Sequence, residues 1–86
     1  MTQILIAIPY DPECEHVDVW DMLMRDLRDD VPLVHTMPSY VDANPSREVI
    51  RGLDAFTFRF DAEAELASQL LESAYANCPD LIIEAV

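Results

Sequence analysis

The chain contains no lysine, a single glycine and only two cysteines. It also has no apolar run approaching the ~20 residues of a membrane span. Each absence excludes something. One glycine rules out the usual glycine-rich phosphate loops. Cys14 and Cys78 are too few for a disulfide framework, so free thiols in a cytoplasmic protein are expected. The first ten residues lack a basic n-region and their apolar stretch is short, so no signal peptide is expected there. With two histidines, no lysine, and none of the GxSxG, HExxH or EF-hand patterns, the tools of acid–base catalysis are thin. A non-enzymatic protein without a cofactor, a metal site or catalytic residues is the expectation.

What is present is apolar material and negative charge. The 86 residues allow one domain, 1–86, with one core, and 51% of them are apolar. Seventeen acids face five arginines, for a net charge of -12. Mean hydropathy near zero separates this chain from disordered acidic tails, which combine high charge with low hydrophobicity. Self-repulsion at this charge costs stability, most of all at low salt. An acidic surface repels DNA, RNA and anionic lipid, so neither direct nucleic-acid binding nor membrane binding is expected. A basic protein is the natural partner, above all one from a nucleic-acid-binding or nuclease complex.

Residues 4–8, Ile-Leu-Ile-Ala-Ile, read as a central buried strand. Asp11-Pro12 reads as an N-cap with proline at the first helical position. Glu13 and Glu15 then sit at the positive end of the helix dipole. Cys14, Val17, Trp20, Met24 and Leu27 form an apolar stripe on this helix, which is expected to end near Asp30. Residues 31–37 read as a second strand. Residues 39–52 form a long connection with a short helix expected around 45–51, capped by Asn44-Pro45 and stopped by Gly52. Residues 55–60 alternate strictly, placing Phe56, Phe58 and Phe60 on one face of a strand. Asp61 is expected to cap a second helix with an apolar face of Leu66, Leu70, Leu71, Ala74 and Tyr75, ending at residues 77–79. Residues 81–86 are the last strand.

The resulting order, βαββαβ, is that of an α+β ferredoxin-like sandwich. It predicts a four-stranded antiparallel sheet in the order 4-1-3-2 with both helices on one face. The other face, lined by Leu5, Ala7, Val34 and Ile82 or Val86, then needs a cover. Either a second copy packs there, as a homodimer, or the 39–52 segment folds over it.

Cys14 and His16 share the start of the first helix and Cys78 ends the second, at the same end of the predicted sheet. A fourth metal ligand there has to be His35 or a carboxylate. The spacing matches no zinc signature, and Cys14 continues the apolar stripe, so structural cysteines are the expectation. Glu13 and Glu15 flank Cys14 and oppose any lowering of its thiol pKa. No histidine is placed to serve it as a base.

The charge is unevenly distributed. Residues 1–46 hold nine acids and two arginines, residues 61–86 six acids and none, and Arg47, Arg51 and Arg59 fall between. The first helix offers Asp18, Asp21, Asp26 and Asp29 to solvent, with Arg25 and Arg28 nearby. Asp29 and Asp30 lie at its C-terminus, where the dipole disfavours negative charge. Local violations of this kind are expected where function constrains sequence. Asp18, Asp21, Asp26, Asp29 and Asp30, supported by Glu13 and Glu15, are therefore the candidate partner-binding residues. A saline habitat or a high-GC genome accounts equally well for the missing lysines.

Trp20-Asp21-Met22-Leu23, Pro32-Leu33-Val34 and a final helix running through Asn77-Cys78 into a strand over residues 80–86 resemble barstar-type ribonuclease inhibitors. Those are small acidic proteins that block a basic nuclease. The resemblance covers about half the chain. The family's first helix and tyrosine-bearing loop have no counterpart here, and the Phe56-Phe58-Phe60 strand has none in the family. Size and charge also match phage inhibitors of host defence, including anti-CRISPR proteins, without a shared motif. The expected function is a DNA-mimic-like inhibitor that covers a basic nucleic-acid-binding surface. The competing expectations are a dimeric ferredoxin-like ligand-binding or small enzymatic domain and a barstar-like ribonuclease inhibitor.

Overall fold

A computed structural model describes residues 1–73, 75 and 80–86. It contains β1 (Thr2–Pro9), α1 (His16–Leu27), a 3-10 helix (Pro32–Thr36), β2 (Ser46–Ile50), β3 (Leu53–Ala62), α2 (Ala64–Glu72) and β4 (Ile82–Ala85). The sheet is antiparallel throughout, in the order β2-β3-β1-β4. This is the expected α+β arrangement and the expected strand order, with a different segment supplying β2.

Register divides the side chains between the two faces. Ile4, Ile6 and Ile8 lie opposite Phe60, Phe58 and Phe56, and Ile6 also opposes Ile83. These residues share one face. Trp20, Leu23 and Leu27 of α1 and Leu66, Ala67 and Leu70 of α2 join them in one buried cluster. Both helices therefore cover that face. Trp20 lies 4.7 Å from Phe58 and 5.9 Å from Phe60 between ring centres.

Six local expectations are corrected. Residues 31–37 are not a strand, because Val31, Val34 and Met37 recur every third residue and all three are buried, while His35 is exposed. That spacing suits a 3-10 helix, and Val34 and Met37 donate to the carbonyls of Val31 and Val34. Residues 45–51 are not a helix, because Ser46–Ile50 pairs with β3. Arg51 (φ 53°) and Gly52 (φ 81°) form the two-residue turn that joins them, with the positive φ at both positions that such tight hairpins favour.

Helix α1 begins at His16 rather than at Pro12. Asp11 is occupied by its own turn, where Oδ1 accepts from the Glu13 N–H at 2.9 Å and its carbonyl from the Cys14 N–H. The helix also ends at Leu27, short of Asp30, with Arg28 as its C-cap. Asp61 does not cap α2, because Asp61 and Ala62 still pair with Gln3 and Thr2, and Glu63 takes the cap position. Helix α2 ends at Glu72, and Leu71 on it is exposed. Extended backbone at Ser73 stops it short of the expected end at 77–79, Tyr75 packs against the core from beyond the helix, and Ala74 and 77–79 lie outside the described residues.

The 39–52 segment does not fold over the second sheet face as expected, because Ser46–Ile50 joins the sheet as an edge strand. Val34 belongs to the helix-side core, and so do Ala43 and Tyr40 of the 39–45 segment. Leu5 lies between Glu84 and Arg59 in the register, and Ala7 between Ile82 and Thr57. All the same, Leu5, Ala7 and Thr57 are 4%, 0% and 0% exposed. Ion pairs lie across them instead. Arg59 pairs with Glu48, and Arg51 in the β2–β3 turn pairs with Glu84 on the opposite edge strand. Aliphatic arginine stems cover apolar surface while the guanidinium stays wet.

Phe58 is fully buried at the centre of this arrangement. Phe58→Ala is expected to cost about 3–5 kcal/mol, read as a lower urea midpoint. Glu48 supplies a pH signature. Hydrogen bonds from Arg59 and then Thr57 (2.6 Å) hold its carboxyl below the ordinary 4.5, against an opposing effect of burial. A depressed folded pKa means the contribution is complete above that ordinary value and drains away as pH falls through the folded one. Glu48→Gln should therefore cost about 1 kcal/mol at neutral pH. Its denaturation curve should converge on wild type in acid.

Candidate interaction surface and groove

Three of the five arginines are committed to the sheet. Besides the two pairs on the open face, Arg47 grips Asp54 with Nε at 3.1 Å and Nη2 at 2.7 Å, and stacks 3.6 Å above the Tyr10 ring centre. The Asp54 carboxyl is held below its ordinary value by that bidentate contact. Of the 17 acids, three are in these pairs, which leaves fourteen that make no ion pair among the described residues. All fourteen are exposed.

The seven candidate contact residues belong to this set. Asp18 and Asp21 lie on the outward side of α1, whose inward side carries Val19, Trp20, Leu23 and Leu27. Glu13 and Glu15 precede the helix. Asp29 and Asp30 follow its cap, where the Asp30 N–H reaches back to the Leu27 carbonyl. Asp26 stands apart from the outward row and edges a groove. Exposed acids therefore stand before, along and after α1, with Arg25 and Arg28 as the opposing charges.

At the Cys14/His16 end the side chains meet partners within the fold. His16 Nε2 lies 2.8 Å from the Ser46 carbonyl, and its ring packs 4.3 Å from Phe56. It thus ties the start of α1 to the β2–β3 hairpin. His35 Nδ1 meets the Pro32 carbonyl at 3.1 Å. Cys14 is partly buried, and its thiol donates to Asp11 Oδ2 at 3.6 Å. Cys78 lies outside the described residues. Among those that are described, no three His, Cys, Asp or Glu side chains converge as metal ligands. No helix among them is long and apolar enough to cross a membrane.

Sequence reading missed the groove. It has a volume of about 320 Å³ and lies between α1, the end of β1 and the start of β4. Ile8, Val19, Leu23 and Leu81 contribute its apolar lining, and Met22, half exposed, stands at its side. Asp11, Asp26 and Asp80 are its carboxylates. The signal was present as Val19, Met22, Leu23 and Asp26 at helical spacing, which puts them on one flank of α1.

Compared with protein-family models, with curated proteins and with solved structures, the chain matches none. The likeness to barstar-type inhibitors gains no support from these comparisons.

Burial first, and then the neighbouring Asp11 charge and hydrogen bond, push the Cys14 thiol above its ordinary pKa. Its thiolate fraction at neutral pH is correspondingly small. In a Cys78→Ser background, iodoacetamide should alkylate Cys14 more slowly than it does free cysteine. Asp11→Asn should raise that rate, as followed by mass spectrometry.

Proposed function

We propose that this protein is a non-catalytic acidic inhibitor that covers a basic, nucleic-acid-binding surface of a partner protein. The observation that carries the reading is the segregation of charge. Three arginines are neutralised on and around the sheet, and the fourteen unpaired acids are all exposed. A fold that needed its acids for stability would place cations among them. Here the acids around α1 form a negative field that steers a positive surface, as the phosphates of a nucleic acid do.

The non-catalytic part of the reading is supported by the site chemistry. The Cys14 thiol is held protonated, and His16 and His35 both meet backbone carbonyls. The βαββαβ order and the position of both helices support reading the fold as ferredoxin-like. The rival reading, a dimer through the open sheet face, is less favoured. Arg51, Arg59, Glu48 and Glu84 already shield the apolar centre of that face.

The test is capture from host lysate at low and at high salt, using wild type and an Asp18→Arg/Asp21→Arg/Asp29→Arg variant. Wild type should retain a nucleic-acid-binding protein at low salt and displace its nucleic acid in a gel-shift assay. The triple variant, folded by circular dichroism, should do neither. An identical set of captured proteins for both forms would sink the proposal.

A further inference from the structure

The groove on the flank of α1 adds something that a field of carboxylates lacks. Charge alone attracts any basic surface and selects among them poorly, whereas a buried apolar anchor discriminates. At about 320 Å³ the groove sits at the lower end of the range for ligand clefts, with room for one or two side chains. Its lining is mostly apolar, with the Cys14 thiol and the Tyr75 ring beside it, and its ionised groups are all carboxylates. Asp11 is engaged by its own turn and by Cys14. Asp26 and Asp80 accept no hydrogen bond and meet no cation among the described residues. Phosphorylated or carboxylated ligands are repelled by such a rim. A cationic segment is complementary to it.

We infer that the groove takes one apolar side chain of leucine or methionine size from a basic segment of the partner protein. The arginines or lysines on either side of that anchor meet Asp11, Asp26 and Asp80. The inference rests on the proposed role as a cover for a basic partner and specifies where that partner is recognised. Met22 is central to it. This side chain is 50% exposed amid acids and touches the groove, so its contact area becomes available to an anchor that enters.

Two fluorescent nine-residue arginine peptides, one with a central leucine and one with a central serine, separate the two levels of the argument. At physiological salt the leucine peptide should bind roughly tenfold more tightly, the effect of partly burying one such side chain. It should also shift the backbone amide resonances of Val19, Met22, Leu23 and Leu81. Met22→Ser, at a half-exposed position outside the core, should abolish the preference and leave the affinity for the serine peptide unchanged. Asp26→Asn should weaken both peptides. Equal affinities for wild type would overturn the groove and leave the basic-partner reading standing. Failure of both peptides to bind would overturn that reading and the groove with it.

Discussion

The pairing of β1 with β3 along eight residue positions, Thr2 to Pro9 against Ala62 to Ala55, sets the position of everything else. Because successive side chains alternate across a sheet, one register decides which face receives the isoleucines and phenylalanines. A slip of one residue would move Phe56, Phe58 and Phe60 to the face that now carries Thr57 and Arg59. With the register as it is, the helices have a single apolar face to cover, and both lie on it. Their other sides must then point to solvent, and that is where the sequence places its acids.

The same register explains how a chain of net charge -12 stays folded with so few cations. Arginine placed among exposed acids gains little, because surface pairs are screened and cost side-chain entropy. Arginine on the open sheet face can contribute twice, through its charge and through an apolar stem laid along the sheet. Arg51 and Arg59 occupy that position. The consequence is an uneven molecule, nearly neutral on the sheet face and negative around the helices. Self-repulsion among the helix-side acids is the cost, and it falls as salt rises.

Elements with one dominant signal were legible in the sequence. The Phe56-Phe58-Phe60 alternation fixed β3, the run at residues 4–8 fixed β1, and the order of segments led to the correct strand order. The errors arose where two signals shared the same residues. Val31, Val34 and Met37 satisfy both an apolar strand and a three-residue repeat, and only the solvent position of His35 separates the two. Asn44-Pro45 and Gly52 serve as helix punctuation or as hairpin punctuation. The choice depends on whether β3 has a free edge for Ser46–Ile50 to join, which is a tertiary matter. The seven contact candidates were legible as exposed residues because charge alone predicts exposure. The groove was not, because it is formed by α1 together with the ends of β1 and β4, which are far apart in sequence.

Three places in the chain break a local rule, and comparing them separates structural from functional causes. Asn44 has φ 53°, but asparagine tolerates that conformation, and the preceding carbonyl of Ala43 accepts from the Arg59 N–H at 2.9 Å. Arg51 also has φ 53°, which costs roughly 1 kcal/mol in a residue with a Cβ. Its pairing with Glu84 gives the strained residue a partner within the fold. Both irregularities thus have compensation within the fold. Asp29 and Asp30 have none. They follow the C-terminal end of α1, where the dipole disfavours them by a few tenths of a kcal/mol each. Neither carboxylate meets a cation or accepts a hydrogen bond among the described residues. A violation without internal compensation agrees with the proposed binding role, in which the compensating charge would come from the partner.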